Sequence, residues 1–264
     1  ASWGGKLLLD GLIHGSDLCL GGTFIAIFLA IRSSKSAAGL SLQTLITIVG
    51  ARILHLVSHI IGLHYVPAVM PWALFPLVDC INAFIGVMLL GTFMTQYYST
   101  YEKNKDNFGI HFFEKFELLP KTGFWSEGPV VASLFLYSVV LVVAFAWYTV
   151  RRSHDSFLVS YFCCVYEVVC AVALMPQLWM FHKDRRVSQT LALFVVLTAG
   201  SRLCALIFWV LYPKIYIYRY PDNRGIQMAS EALNILILSD FLYYWVRSRL
   251  RGEREVVIGD DSSV

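Results

Sequence analysis

Two arginines stand inside segments of the sequence that are otherwise strongly apolar. Gln-Thr-Leu begins both segments, at positions 43 and 189, and Gly-Ala-Arg or Gly-Ser-Arg follows, ending at Arg52 and Arg202. Either a duplicated unit or chance similarity between two helices rich in Leu, Ala and Gly explains the repeat. A guanidinium group in an apolar helix needs an anionic partner. The pattern therefore predicts that each arginine either forms a static ion pair or binds an anionic ligand in a cavity.

His55 and His59 follow Arg52 on one face of the predicted helix, at spacings of three and four residues. Such a stripe fits a metal or haem site, a pH sensor, or hydrogen-bonded histidines in a polar core. The stripe is not accompanied by further metal ligands or by a nucleophile with an adjacent base. We therefore expect that the protein binds no cofactor or metal and is not an enzyme. The carboxylates available to the arginines within apolar segments are those of Asp17, Asp79, Glu167, Glu231 and Asp240.

The composition is that of a polytopic membrane protein. Of 264 residues, 57% are hydrophobic and 15% are charged, which exceeds the apolar content of a soluble domain. The formal net charge of +3 gives no indication of a nucleic-acid partner. Seven apolar runs are near the length that crosses a bilayer, at residues 12–31, 42–63, 72–96, 129–150, 156–175, 190–212 and 226–246.

The loops between these runs predict the orientation of the chain. Thirteen of the 21 Lys and Arg residues fall on the side that holds the loop 98–128 and the tail 247–264. Because basic residues are enriched on the cytosolic side, we expect a lumenal N-terminus and a cytosolic tail. The tail begins basic and ends polar, so we also expect it to be flexible. Pro176 should stop or kink the fifth helix.

Several motifs occur in the order seen in one known family. They are Lys-Ser-Ala-Ala-Gly-Leu-Ser at 35–41, Tyr-Glu-Lys-Asn-Lys-Asp-Asn-Phe at 101–108, Met-Pro-Gln-Leu at 175–178, Gly-Ser-Arg at 200–202, Trp209, and Ser-Asp-Phe-Leu-Tyr-Tyr at 239–244. The chain resembles the KDEL receptor family, the ER lumen protein retaining receptors, and especially its divergent receptor-related branch.

The resemblance implies an all-α membrane fold similar to that of SWEET and PQ-loop proteins. In that fold, seven transmembrane helices form two three-helix bundles joined by a linking helix. Applied to this chain, the first bundle covers about 12–97, the linking helix about 129–150 and the second bundle about 156–246. The whole chain, 1–264, is then a single membrane domain.

The resemblance also implies a function. Members of the family capture the C-terminal signals of soluble ER proteins and return them from the Golgi to the ER. Arg52 and Arg202 match arginines that serve the peptide site, and Trp209 matches a tryptophan that lines it. Cys170 replaces a family glutamate, and Glu167, one turn earlier on a similar face, is placed to supply the missing acid.

Two functions therefore stand as hypotheses. The first is a receptor of the ER and Golgi membranes that binds a C-terminal peptide signal, or another anionic ligand, in a lumen-facing cavity near Arg52, His55, Glu167, Arg202 and Trp209. The second is a non-catalytic accessory subunit of a larger complex in an organellar membrane. Such a subunit would have lost peptide binding and would contact lipids and other membrane subunits.

Overall fold

The computed structural model describes residues 3–62, 74–110, 128–151, 157–215 and 224–259. Within these ranges the chain is almost entirely helical. Two short strands, β1 (Arg186–Ser188) and β2 (Glu255–Val257), complete the structure. The helices are α1 (Trp3–Ser34), α2 (Leu42–Gly62), α3 (Leu74–Thr92), α4 (Gly128–Arg151), α5 (Phe157–Val172), α6 (Met175–Asp184), α7 (Gln189–Ile215) and α8 (Arg224–Leu250).

The helices correspond in order and position to the seven predicted spans, which confirms an all-α membrane protein. Five apolar stretches are long enough to cross a membrane: Gly4–Ser34, Leu77–Thr100, Ser133–Val150, Ser160–Asp184 and Gln189–Lys214. A shorter apolar stretch covers Leu42–Val57. The last helix, α8, has the required length, but buried polar residues such as Glu231 and Asn234 lower its hydropathy. Two boundaries differ most, because α1 already begins at Trp3 and the fifth apolar stretch continues through α6 to Asp184.

The break predicted at Pro176 is present. Helix α5 ends at Val172, and α6 begins at Met175 with the proline in its first turn, where a missing N–H has no cost. Gln177 then joins α6 to the segment before α2. Its side chain accepts a hydrogen bond from the Ser41 N–H (2.8 Å) and donates one to the Gly39 carbonyl (2.6 Å). The proline break therefore places a polar residue where it links the two halves of the chain.

The packing of the helices follows the duplicated arrangement. In the first half α3 contacts both α1 and α2, and in the second half α8 contacts both α5 and α7. The halves meet where α1 packs along α7 and α2 packs against α5, while α4 packs mainly on α5. Apart from those of α4, each of these contacts thus has a counterpart when α1, α2 and α3 are exchanged for α5, α7 and α8.

Small and hydroxyl residues allow α1 and α7 to approach closely. The hydroxyl groups of Ser16 and Ser201 lie 2.9 Å apart, and those of Thr23 and Thr198 lie 3.3 Å apart. A Cβ atom added at Gly200 would lie 3.7 Å from the Cys19 sulfur, which is van der Waals contact. Gly200 therefore acts in packing, as expected for a small residue between helices in lipid.

A buried carboxylate organises the start of α2. Asp106 is fully buried and accepts hydrogen bonds from the Ser41 hydroxyl (2.8 Å), the Gln43 amide N–H (3.2 Å), the Gln43 side chain (3.1 Å) and the Tyr101 hydroxyl (2.5 Å). It lies at the N-terminus of α2, where the helix dipole favours negative charge. Burial raises the pKa of Asp106, although these hydrogen bonds oppose the shift.

The chain after α8 corrects the expectation of a flexible tail. Arg247 to Leu250 still belong to α8, and β2 then pairs antiparallel with β1, with Val187 opposite Val256. Val256 is fully buried and Ile258 donates its N–H to the Arg185 carbonyl (2.8 Å). The short apolar run at residues 256–258 is therefore ordered by pairing with a strand that is distant in the sequence. Residues 260–264 lie outside the described part.

Gly86 on α3 offers a test of the helix packing. A Cβ atom there would lie 3.1 Å from Val49 Cγ2 and 3.2 Å from Phe24 Cζ, whereas one at Gly91 on the same helix would meet nothing within 4 Å. We expect Gly86→Ala to lower the free energy of unfolding by about 1–3 kcal/mol through overpacking. Gly91→Ala should be neutral or stabilising by up to about 1 kcal/mol. Thermal unfolding in detergent measures both, and equal effects would contradict the packing described.

Asp106→Asn should destabilise the protein by about 1–3 kcal/mol, because an amide cannot accept all four donated hydrogen bonds. The pKa of Asp106 is raised in the folded state. Its titration therefore favours folding fully below the pKa of an unfolded aspartate, about 3.9, and this contribution is lost as pH rises through the folded pKa. We expect the stability difference between wild type and Asp106→Asn to decrease from acid to neutral pH in thermal unfolding. A difference that grows over that range would refute the assignment.

Candidate functional site

Arg52 of α2 lies in a buried polar group with residues of α3 and α5. Only 4% of the residue is exposed. Its Nη2 donates a hydrogen bond to the Tyr166 hydroxyl (2.9 Å), and its Nη1 lies 3.9 Å from Asp79 Oδ1. His55 joins the same group, since its Nδ1 lies 2.9 Å from Asp79 Oδ2 and its ring stacks on Tyr166 at a centroid distance of 4.7 Å. Asp79 therefore interacts with two of the three basic residues of the predicted stripe, Arg52 and His55.

Arg202 of α7 has a closely similar environment in the second half of the chain. It is 7% exposed, and its Nη1 donates to Glu231 Oε1 of α8 at 3.1 Å. Cys170 on α5 is also close enough to interact electrostatically with its guanidinium group. Glu167, one turn before Cys170, is buried and close enough to interact electrostatically with both Arg202 and Glu231.

The two arginines belong to one cluster because both turn toward α5. They are within electrostatic range of each other, and Tyr166 and Cys170 interact with both. Four of the five residues predicted to bind ligand are thus brought together, namely Arg52, His55, Glu167 and Arg202. We call this group, with Asp79, Tyr166, Cys170 and Glu231, the arginine cluster.

Each arginine of the cluster retains one unused donor. The Nε atoms of Arg52 and Arg202 are buried and have no hydrogen-bond partner among the described residues. A buried N–H without a partner costs free energy, so such a group is satisfied by water or by a ligand. Each arginine is therefore paired with a carboxylate, which is the first of the two predicted arrangements, and its Nε–H has no partner among the described residues.

A second repeat, not recognised in the sequence, supports the cluster. Asp79 is followed three residues later by Asn82, and Glu231 is followed three residues later by Asn234. Asn82 donates to a backbone carbonyl of α1, that of Asp17 (3.2 Å), and Asn234 donates to the carbonyl of Cys170 on α5 (2.7 Å). The acid-x-x-Asn spacing on the third and seventh predicted spans is the sequence signal that could have revealed this repeat.

The remaining predicted residues lie elsewhere. Trp209 packs beside Phe208 and Tyr212, at ring-centroid distances of 5.0 and 6.0 Å, in an apolar cluster with Leu9 of α1. Asp240, one of the candidate partners of the arginines, is exposed. The side chain of His59 lies outside the described part of the structure.

The chemistry of the cluster is that of anion recognition. Guanidinium groups bind carboxylates and phosphates through charge-assisted, often bidentate hydrogen bonds, which are stronger away from bulk water. In the described part of the chain, no three His, Cys, Asp or Glu residues are grouped so that they could hold a metal ion.

Removing one buried acid tests the pairing. Glu231→Gln leaves Arg202 without its charged partner, so we expect a loss of about 3–5 kcal/mol in the free energy of unfolding. Asp240→Asn, an equivalent change at an exposed position of the same helix, should stay within about 0.5 kcal/mol of wild type. Chemical denaturation in mixed micelles distinguishes the two, and a Glu231→Gln protein as stable as Asp240→Asn would refute the ion pair.

Comparison with known proteins agrees with this architecture. A sequence profile described as ER lumen protein retaining receptor matches residues 36–212, which include α2, both arginines and Trp209. The ER lumen protein-retaining receptor of Dictyostelium discoideum is 25% identical over 253 residues, covering 92% of this chain and 96% of that protein. The profile extends over more than half of the sequence. The chain therefore belongs to the ER lumen protein retaining receptor family.

Proposed function

We propose that this chain is a retention receptor of the ER and Golgi membranes that binds the C-terminal signals of soluble ER proteins. The observation that carries the proposal is the pair of neighbouring buried arginines, each with an Nε–H that lacks a partner among the described residues. A peptide ending in a free carboxylate offers the acceptor that these donors need. Family membership supports the same ligand class.

In the proposed mechanism, the ligand carboxylate is bound between Arg52 and Arg202. Asp79 and Glu231 hold the two guanidinium groups in place before the ligand arrives. The ligand carboxylate then accepts hydrogen bonds from the Nε–H groups of the arginines, or it displaces Asp79 or Glu231 from its arginine. Trp209 follows Arg202 by seven residues, two helical turns, and lies outside the arginine cluster, so in this mechanism it contacts the part of the peptide that extends beyond the carboxylate. The site opens toward the lumen, with the N-terminus lumenal and the tail cytosolic.

The charges of the cluster link ligand binding to proton uptake. With His55 neutral, two positive charges face three carboxylates, those of Asp79, Glu167 and Glu231. Adding a ligand carboxylate to a cluster that already carries one excess negative charge is unfavourable in a medium of low dielectric constant. Protonation of His55 or Glu167 removes that excess. Binding should therefore be tighter in an acidic compartment and weaker at neutral pH.

A labelled peptide ending in His-Asp-Glu-Leu tests the proposal directly. We expect the purified protein to bind it more tightly at about pH 5.5 than at about pH 7.4, since one or more protons are taken up. Amidation of the peptide C-terminus should weaken binding at least about tenfold, because a charged hydrogen bond of about 1.5–3 kcal/mol is lost. Arg202→Ala should abolish the preference for the free acid. Fluorescence anisotropy in detergent measures all three.

Arg32→Gln is a matched control, because this exposed arginine at the end of α1 lies outside the cluster. It should bind like wild type. Equal affinity for the free-acid and amidated peptides would contradict the proposed site. If no peptide binds and the protein migrates with a large assembly in mild detergent, the accessory-subunit function is favoured instead.

A further inference from the structure

Six arginines gather at the end of the bundle where α8 leaves the apolar region. Two of them come from the β1 segment and four from the end of α8 and the residues that follow. The pairing of β1 with β2, in which Arg186 lies opposite Val257, brings the two groups together. All except the half-buried Arg247 are exposed. The six are Arg185, Arg186, Arg247, Arg249, Arg251 and Arg254.

A cleft opens among these arginines, and we call it the basic cleft. Arg247 lines it from the last turn of α8 and Arg251 from the turn that follows, together with Tyr244, Val257 and Gly259. The turn is closed by a hydrogen bond from the Arg251 N–H to the Arg247 carbonyl (3.1 Å). Two guanidinium groups one helical turn apart can bind the oxygens of a single phosphate.

Among the described residues, the acids near these arginines are Glu253, Glu255 and Asp184. Glu253 lies in the cleft, and its carboxylate is 3.8 Å from Arg251. Glu255 is exposed on β2. Asp184, at the end of α6, is instead paired with Lys105 at 2.7 Å. The described residues at this end of the bundle therefore carry an excess of positive charge.

Exposed apolar residues place the cleft at the bilayer surface. Val246 and Leu250 lie on the last turns of α8, interleaved with the arginines, and are 47% and 83% exposed. Trp245 belongs to the same turn, and the Arg249 guanidinium lies 5.6 Å from the centre of its ring. Aromatic residues and long basic side chains with this arrangement are typical of the level of the lipid headgroups.

We propose that the basic cleft binds the phosphate of an anionic lipid headgroup, with Arg247 and Arg251 as its ligands. A cluster of four to eight basic residues directly beside a transmembrane helix favours anionic lipids. The exposed Leu250 favours a lipid over an acidic protein segment, because its side chain would enter the acyl region while the arginines reach the headgroup. The site is separate from the arginine cluster, so it does not depend on peptide binding.

Binding of a fluorescent short-chain phosphatidylinositol phosphate to the full chain in mild detergent tests this site. We expect it to bind more tightly than short-chain phosphatidylcholine. The double variant Arg247→Gln/Arg251→Gln should bind about thirtyfold more weakly, at about 1 kcal/mol for each arginine. Arg32→Gln, which removes an exposed charge at the same end of the bundle, should bind like wild type.

Three results would overturn the proposal. The first is equal binding of the anionic lipid and phosphatidylcholine, and the second is a double variant that binds as tightly as Arg32→Gln. The third is free inositol phosphate that binds as tightly as the lipid, since this would indicate a site for a soluble anion. If the double variant does not fold, the single variants decide, and each should lose about fivefold in affinity.

Discussion

The structure depends on the burial of two guanidinium groups within apolar helices. An arginine at the centre of a membrane span costs about 2.5–3.5 kcal/mol on insertion scales, unless a nearby group of opposite charge compensates for it. Here Asp79 on α3 and Glu231 on α8 lie beside Arg52 and Arg202. Each ion pair joins two helices of the same half, so the charges also fix which helices must be neighbours.

The duplication extends beyond the arginines to their partners and to the asparagines that follow them. Asn82 and Asn234 tie the third helix of each half to the first, by donating to backbone carbonyls of α1 and α5. The symmetry is broken at α5, because Arg52 donates a hydrogen bond to Tyr166 and Arg202 lies within electrostatic range of Cys170, both on that one helix. Two separate ion pairs would only stabilise the bundle, whereas two arginines beside one face of α5 suit the shared anion site that we propose.

Most of the fold could be predicted from the sequence, because the length of an apolar run directly reflects the bilayer that it crosses. The predicted span 42–63 and the helix Leu42–Gly62 differ by one residue. The site was only partly predictable. Basic residues within apolar segments are conspicuous in a sequence. Tyr166 and Asn234 are not, because their roles depend on which helices pack beside them. The β2 strand was missed for a similar reason, since its partner at residues 186–188 is distant in sequence.

The most direct test of the shared site observes the arginine Nε–H groups themselves. In a protein with isotopically labelled arginine, Arg52→Lys and Arg202→Lys would each remove one resonance and so assign the two signals. We expect both signals to shift when a free-acid His-Asp-Glu-Leu peptide is added at acidic pH, and to stay in place with the amidated peptide. Signals that remain unchanged under saturating free-acid peptide would contradict the account.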